Sequence, residues 1–282
     1  MSTPPSHSSP NQAIQLLVLD IDGTIAGSSN EIREPVKAAV SCVLSKGIQV
    51  TIATGRMYQS AVRFHRELGC TLPLITYQGA LIKDPRTSKV YEHWSVDQSM
   101  ALRLLDDLER PEFQAISIHC YIEDELYVRQ LSRETVDYIS RSAVQATVVG
   151  DLRSVLQSEP TKLLALCDDS HLIQTLYQFL REKYTPNDLY LTRSVSTFVE
   201  ATHPAVNKGN AVRYLAEEVV GLTADEVMAV GDNFNDVEML NYAGIGVAMG
   251  DAPDPVKAIA QWVAPDVTED GVAVAIHRFL LD

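Results

Sequence analysis

Asp20 and Asp22 stand one residue apart at the end of an apolar run, and Gly23 and Thr24 follow them. An apolar run of this length that ends in charge and glycine is typical of a buried parallel strand, so both carboxylates are expected at its C-terminal end. Ligands of open α/β sheets bind at that edge. Because adjacent acids repel each other unless a cation lies between them or one is protonated, the pair favours Mg²⁺.

These two carboxylates also suit covalent chemistry on phosphorus. The Asp20 carboxylate is able to take a phosphoryl group and form an aspartyl-phosphate, while Asp22 moves the proton. The other interpretation is purely structural, because an Asp-x-Asp pair also closes strands and caps turns. The pair alone leaves both interpretations open, and the rest of the chain has to distinguish them.

Two further clusters carry groups that a phosphate needs. Thr54-Gly55-Arg56 closes a second apolar strand and opens a helix, where a hydroxyl, backbone N–H groups and the helix N-terminus hold phosphate oxygens. Lys208 begins a later helix, although a cation gains nothing from a helix N-terminus, and this placement is a mild indication of function. The structural alternatives are an ordinary N-cap threonine and a solvated surface lysine.

The fourth cluster follows the apolar strand at 227–230 and again places acids between a strand and a helix. Its side chains with oxygen atoms are Asp232, Asn233, Asn235 and Asp236. Carboxylate and amide oxygens are hard ligands that suit Mg²⁺, although Asp232 or Asn233 also suits a helix cap. Four such clusters in this order are hard to explain by capping alone.

Apolar periodicity predicts the elements that carry these clusters. The N-terminal part is predicted to be a βαβαβ unit, with strands before Asp20 and at 48–54 and 73–77, and helices at 36–44 and 57–68. The alternation resumes near the C-terminus with a helix at 208–219, a strand at 227–230 and a helix at 235–242. Short connections of this kind imply an α/β fold with a parallel sheet.

Between these two parts the pattern changes, and a second domain of mixed α and β structure is predicted to be inserted into the first. Its predicted elements are a hairpin with strands at 80–83 and 89–94, a helix at 97–109, strands at 115–122, 125–128 and 161–166, and a helix at 171–184. The expected division is a disordered tail at 1–13, a core at 14–83 and 201–282, and the insertion at 84–200.

Composition excludes several classes of protein. With 282 residues, 46% of them hydrophobic, and a mean hydropathy of -0.02, the chain is typical of globular proteins with room for two domains. It has no run of about 20 apolar residues and no signal peptide, so a cytoplasmic location and no membrane partner are expected. The net charge of -14 disfavours nucleic acid. Four widely spaced cysteines predict neither zinc nor disulfides.

Together, the four clusters resemble the four motifs of the haloacid dehalogenase superfamily, and they are closest to those of its Cof-type phosphatases. The resemblance covers nearly the whole chain beyond the tail and implies a Rossmann-like doubly wound parallel-sheet core with an inserted α/β cap. It implies that Asp20 is the nucleophile and Asp22 the general acid/base. The implied ligands of Mg²⁺ are Asp20, the main-chain carbonyl of Asp22, and Asp232.

The resemblance assigns the other site residues to phosphate binding and to support. Lys208 would neutralise the nucleophile and the phosphate, and Asp236 would support the metal site. Gln78 stands where Cof-like members usually carry asparagine before Gly-Ala, and it carries the same amide on a longer side chain. The residues expected to hold the phosphoryl group are Thr54, Gly55, Arg56 and Asn235.

The function implied is Mg²⁺-dependent hydrolysis of a small phosphorylated metabolite through an aspartyl-phosphate. The expected substrate classes are sugar phosphates, nucleotides, flavin mononucleotide and pyridoxal phosphate, and the expected assembly is a monomer or weak homodimer. A sugar-phosphate phosphomutase shares the scaffold and the nucleophile but returns the phosphoryl group to its product. A phospholigand-binding module with a decayed site is the non-enzymatic alternative, and the presence of all four motifs argues against it.

Overall fold

The computed structural model describes residues 13–282, and its elements are numbered along the chain. The strands are β1 (Leu16–Leu19), β2 (Gln49–Ile52), β3 (Leu74–Thr76), β4 (Leu81–Lys83), β5 (Val90–His93), β6 (Ser117–Ile122), β7 (Glu125–Val128), β8 (Ala146–Val148), β9 (Lys162–Leu166), β10 (Tyr190–Thr192), β11 (Phe198–Thr202), β12 (Val227–Gly231), β13 (Ile245–Ala248) and β14 (Trp262–Val263). The α-helices are α1 (Glu34–Ser45), α2 (Tyr58–Glu67), α3 (Gln98–Leu108), α4 (Arg133–Ser142), α5 (Ser170–Lys183), α6 (Lys208–Tyr214), α7 (Val237–Tyr242), α8 (Asp254–Ile259) and α9 (Gly271–Ile276).

A five-stranded parallel sheet in the order β14-β13-β12-β1-β2 forms the centre of the core. β1 lies between β2 and β12, and its residue Leu19 is in register with Ile52 of β2 and Val230 of β12. Because all five strands run in the same direction, their carboxyl ends meet at one edge of the sheet.

Helices cover both faces of this sheet because its central strand is apolar at every position. In β1, Leu17 and Leu19 belong to the apolar cluster with α1, α2 and α9, whereas Leu16 and Val18 belong to the cluster with α6, α7 and α8. All four side chains are fully buried. A strand that is buried on both faces requires the continuous apolar run that the sequence shows, and the result is a doubly wound α/β core.

β3 differs from the third parallel strand that the sequence predicts. It meets the end of β2 through a single parallel bridge between Ala53 and Ile75, and it otherwise pairs antiparallel with β4. β4 pairs in turn with β5, which confirms the predicted hairpin and completes a three-stranded sheet. β3 is short because the chain turns immediately after it, at Tyr77 and Gln78, whose φ angles are 53° and 61°.

A six-stranded sheet in the order β10-β11-β9-β6-β7-β8 forms the inserted unit. One of its faces is covered by α3 and α5 through an apolar cluster of their own. The opposite face carries Tyr121 and Leu164, which pack with Met57 and Tyr77 of the core. The inserted sheet therefore lies over the loops that follow β2 and β3.

The predicted α/β fold class is confirmed, although the predictions gave no bounds for α4, β8, β10 and β11 of the inserted unit. The helix expected at 208–219 is α-helical only to Tyr214 and continues as a π-helical turn, Leu215–Val220. The division into core and insertion stays a prediction, and its two boundaries fall inside the β4–β5 hairpin and inside β11. The tail predicted at 1–13 lies, apart from residue 13, outside the described residues.

All four cysteines are free thiols, and three of them are buried while Cys42 is exposed. Within residues 13–282, no helix combines the length and the hydrophobicity that crossing a membrane takes.

Candidate active site

The predicted motifs meet at the carboxyl edge of the parallel sheet. Asp20 follows β1, Thr54 follows β2, and Asp232 follows β12, and these three strands are neighbours. Asp20 and Thr54 are almost completely buried. All three residues line one cavity, so the topology brings together side chains that are far apart in the sequence.

Gly23 and Thr24 join the loop after β1 to the loop after β12. Gly23 has a φ angle of 76°, and a Cβ at this position would lie 2.3 Å from Oδ2 of Asp232. The Thr24 hydroxyl donates a hydrogen bond to Oδ1 of Asp232 at 3.3 Å. Gly23 therefore leaves room for the Asp232 carboxylate beside the loop after β1, and the hydroxyl of Thr24 binds it there.

Lys208 is fully buried between two carboxylates. Its Nζ lies 2.7 Å from Oδ1 of Asp20 and 2.6 Å from Oδ1 of Asp236. Burial opposes the ammonium charge, but the two carboxylates outweigh it and raise the pKa of Lys208 above its usual value. Lys208 is the first residue of α6, and it is not the solvated surface residue that this position also allowed.

Asp236 fixes the loop that follows β12. Its Oδ1 receives the hydrogen bond of Lys208, and its Oδ2 accepts the backbone N–H groups of Asp232 and Asn233 at 2.9 and 3.0 Å. Gly231 makes this approach possible, because a Cβ there would lie 2.5 Å from Cγ of Asp236. Both carboxylate oxygens of Asp236 are occupied, which suits the supporting role that the sequence predicts.

The carboxylates of Asp20, Asp232 and Asp236 place oxygen atoms within 4.8 Å of one another. Burial, with the charges of neighbouring acids, raises the pKa of Asp20 to about 7 and that of Asp232 to about 9. Oδ1 of Asp20 is buried and accepts no hydrogen bond, although Lys208 is close to it. A hard divalent cation relieves both problems through oxygen ligands, so the residues present fit Mg²⁺.

Asp22 lies at the opening of the site, with 40% of its side chain exposed, and is held by Arg56. Nε and Nη2 of Arg56 donate to the two carboxylate oxygens at 2.8 and 2.7 Å, and Nη2 also donates to Asn30 at 2.7 Å. Partial burial opposes ionisation, but the hydrogen bonds and charge of Arg56 bring the pKa of Asp22 below its usual value. Since Arg56 contacts Asp22 here, its expected role at the phosphate stays a prediction.

Gln78 and Asn235 bring two amides to the same place. Gln78 is fully buried, and its Oε1 accepts a hydrogen bond from Nδ2 of Asn235 at 3.1 Å. Gln78 also packs onto Gly55, where a Cβ would lie 2.3 Å from Nε2 of Gln78. The longer side chain at position 78 therefore reaches the Thr54-Gly55-Arg56 motif that follows β2.

A cavity of about 210 Å³ lies between the core and the inserted sheet, and the core residues that line it are Asp20, Asp22, Thr54, Gly55, Arg56, Asp232 and Asn235. The inserted unit contributes further lining residues that no sequence motif contains, among them Tyr138, Arg141, Lys162, Ser194 and Glu200. Two of these were detectable in the sequence, because Lys162 and Glu200 are the charged residues of mainly apolar strands. The residues on α4 were not, because polar side chains are ordinary on an amphipathic helix.

Known proteins are similar to this chain over nearly its whole length. The protein YxeH of Bacillus subtilis is 30% identical over 95% of this chain and 98% of its own. The 5-amino-6-(5-phospho-D-ribitylamino)uracil phosphatase YitU of the same organism is 27% identical over 94% and 96%. The crystal structure of a haloacid dehalogenase-like hydrolase from Bacteroides thetaiotaomicron superposes with a TM-score of 0.82, at 26% identity, over 94% of this chain and 99% of that one.

A family model confirms the resemblance that the four motifs indicate. The model for haloacid dehalogenase-like hydrolases matches residues 17–276, which include all four motifs and the inserted unit. The chain therefore belongs to the haloacid dehalogenase-like hydrolase family and is a phosphoric monoester hydrolase with an inserted α/β cap.

Proposed function

We propose that the protein is a Mg²⁺-dependent phosphatase that hydrolyses a small phosphorylated metabolite through an aspartyl-phosphate on Asp20. The observation that supports this most directly is the buried ammonium of Lys208, whose Nζ lies 2.7 Å from Oδ1 of Asp20. Asp20 itself lines the cavity together with Asp232. A phosphate monoester brings negative charge toward a carboxylate, and a buried cation offsets that repulsion. An aspartate that only caps a turn needs no such partner.

Asp20 supplies the nucleophilic oxygen. In the first step a bond forms between an Asp20 carboxylate oxygen and phosphorus, the bond from phosphorus to the leaving oxygen breaks, and Asp22 gives that oxygen a proton. In the second step water attacks phosphorus while Asp22 takes a proton from it. The bond to Asp20 then breaks, which frees the carboxylate and releases inorganic phosphate.

Asp22 needs two protonation states in this scheme. Arg56 favours its ionised form, which is the form that acts as a base on water. The first step requires the proton on Asp22. We expect Asp22 to gain it when the guanidinium of Arg56 turns from Asp22 to the phosphoryl oxygens, which is the role that the sequence predicts for Arg56.

The remaining site residues hold the phosphoryl group and the metal. Thr54, Gly55 and Asn235 line the cavity and are assigned to the phosphoryl oxygens. Mg²⁺ would be held by Asp20, Asp232 and the main-chain carbonyl of Asp22. When bound, it neutralises charge on the phosphoryl group and orients that group for in-line displacement.

The inserted unit is assigned to substrate selection. The cavity of about 210 Å³ that it closes is smaller than the roughly 300 to 1,000 Å³ of typical drug-sized ligand sites, which favours a small metabolite. We place the crossings between core and cap at 94–97 and 203–207 instead of at 83 and 200. β5 pairs with β4, which pairs with β3 of the core, and β11 of the cap sheet runs to residue 202.

A screen of phosphate release tests this function. The panel contains sugar phosphates, nucleotides, flavin mononucleotide, pyridoxal phosphate and the ribitylaminouracil phosphate that the name of YitU specifies. We expect Mg²⁺-dependent release of inorganic phosphate from at least one of these. Conversion of a sugar phosphate to its isomer without free phosphate would indicate a phosphomutase, and binding without turnover of any member would indicate a phospholigand-binding module.

A further inference from the structure

A buried ion pair in the cap touches neither the nucleophile nor the carboxylate cluster. Lys162 begins β9 and Glu200 lies in the middle of β11, and each has only 2% of its surface exposed. Nζ of Lys162 lies 2.7 Å from Oε2 of Glu200. Burying two charges is costly, and apolar residues of similar volume are often at least as stable. The pair therefore needs an explanation other than cap stability.

The other partners of this pair belong to the core. Nζ of Lys162 donates to the carbonyl oxygen of Gly55 at 2.8 Å. On the other side, Oε1 of Glu200 accepts a hydrogen bond from Nε2 of Gln78 at 3.0 Å, and Gln78 accepts one from Asn235 at 3.1 Å. A continuous chain of polar contacts thus runs from two cap strands to the loops after β2, β3 and β12.

The segment around Gln78 needs support from outside itself. Tyr77 and Gln78 have φ angles of 53° and 61°, a region that residues other than glycine rarely adopt. The Lys162 ammonium also lies 5.6 Å from the ring centroid of Tyr77 and 4.9 Å from that of Tyr121. The buried pair therefore holds both a backbone carbonyl and a strained turn at the edge of the catalytic cavity.

We propose that Lys162 and Glu200 are positioning residues, which fix the Gly55 carbonyl and the amides of Gln78 and Asn235 in the geometry that holds the phosphoryl group. This inference rests on the function proposed above for the same site. Opening of the cap withdraws both residues from the core, so the phosphate site is complete only when the cap is closed. The cap thereby contributes to the rate of the chemical step as well as to substrate selection.

Three variants and one control separate positioning from stability. Lys162→Met and Glu200→Gln each leave one buried charge without its partner and are expected to be less stable, whereas the double variant removes both charges. The control is Lys183→Met, which breaks an ion pair between Lys183 Nζ and Oδ1 of Asp107 at 2.6 Å. This pair also lies in the cap, but neither residue lines the cavity.

Steady-state kinetics with Mg²⁺ and a small activated aryl phosphate give the first readout. We expect Lys162→Met and the double variant to lose about 10- to 100-fold in kcat with KM changed less than about twofold, because small misplacements at a reacting centre cost that much. The control should retain the wild-type kcat. A wild-type kcat in the double variant would show that the ion pair is merely structural. A change in KM alone would show that the pair contacts the ligand, and either result overturns the proposal.

Hydrogen–deuterium exchange of the substrate-free protein gives a readout that does not depend on activity. Segments 54–57 and 76–80 should exchange faster in Lys162→Met and in the double variant than in the wild type, and Lys183→Met should leave both unchanged. If the wild type hydrolyses no phosphate ester, the proposed function fails while this result still supports the structural link. Unchanged exchange in both segments overturns the positioning role even in an active phosphatase.

Discussion

At the scale of single residues, the site has to keep Asp20 ionised although it is buried. Burial raises the pKa of Asp20 to about 7, and the ammonium of Lys208 opposes that rise. Asp232 is less well compensated, since burial and nearby acids raise its pKa to about 9. Both carboxylates therefore gain from a divalent cation, which is the physical basis of the magnesium assignment.

Substituting Asp232 tests this assignment. Asp232→Asn keeps the size of the side chain but removes a charged ligand. Loss of a residue that only supports a metal ligand costs up to about 100-fold in activity, so we expect loss of a ligand itself to cost at least about 100-fold at fixed Mg²⁺. The measurement is phosphate release over a Mg²⁺ titration. Asp251→Asn is the control, because Asp251 is an exposed acid near Asp232 and lies outside the carboxylate cluster.

Chelation complements that substitution. Excess chelator should stop turnover of the wild type, and added Mg²⁺ should restore it. Full activity in the chelator, or equal Mg²⁺ dependence in Asp232→Asn and the wild type, would contradict a magnesium site at these residues.

The position of the candidate site residues at strand ends was predictable, whereas the contacts between them were not. The sequence placed Asp20, Thr54 and Asp232 at strand ends because apolar runs predict strands and parallel strands share an edge. It did not predict that Arg56 contacts Asp22, because that contact depends on how the loops after β1 and β2 approach each other. The phosphate-binding role of Arg56 stays a prediction for the same reason.

At the scale of elements, prediction was reliable where one strand or helix determines its own pattern. The continuous apolar run of β1 predicts a strand that is buried on both faces, and the structure confirms it. β3 was assigned to the parallel sheet because a backbone turn with positive φ at Tyr77 and Gln78 leaves no periodic signal. The contacts of β9 and β11 with the core were equally invisible, since they join residues more than one hundred positions apart.

The cap sheet carries a buried histidine with a consequence for acid stability. On β6, His119 contacts Thr135 at 3.0 Å, packs edge-on against Tyr138, and has its pKa lowered to about 3 by burial and by the charge of Lys162. Between that value and about 6.5, the unfolded chain binds a proton that the folded protein does not. The free energy of unfolding should therefore fall by about 2 kcal/mol from pH 7 to pH 5 through this residue.

Denaturant unfolding of His119→Asn at both pH values measures that contribution. In the variant, the free energy of unfolding should fall by about 2 kcal/mol less between pH 7 and pH 5 than in the wild type, whatever the variant's stability at pH 7. His171→Asn, at an exposed position on α5, should keep the wild-type dependence. If His119→Asn and the wild type lose the same free energy between pH 7 and pH 5, the histidine is not buried in its neutral form.

At the scale of the whole molecule, the cap docks through the turn between β6 and β7. The carboxylate of Asp124 accepts the backbone N–H groups of Tyr58 and Gln59 at 2.9 and 3.1 Å, and the hydroxyl of Tyr77 at 2.7 Å. Met57, the residue before α2, offers no side-chain cap of its own. Asp124 of the inserted domain therefore accepts the free backbone N–H groups at the N-terminus of the core helix α2. This contact links closure of the inserted domain to the stability of α2.

Asp124→Ala tests this docking contact. We expect it to cost about 1 kcal/mol of stability, as removal of a helix cap usually does, and to increase the radius of gyration of the substrate-free protein. Small-angle X-ray scattering measures the second effect. Asp169→Ala, which removes the N-cap of α5 within the cap unit, should cost similar stability without changing the radius of gyration. Equal radii in the two variants would show that Asp124 does not hold the cap closed.

The covalent role of Asp20 is tested by the mass of the protein after rapid acid quenching during turnover. We predict that wild-type protein gains the mass of one phosphoryl group, located on the peptide that contains Asp20. Asp20→Asn, which is isosteric but cannot attack phosphorus, should remain folded, show no such gain and release no phosphate. A phosphoryl group on another residue, or turnover by folded Asp20→Asn, would show that Asp20 is not the nucleophile.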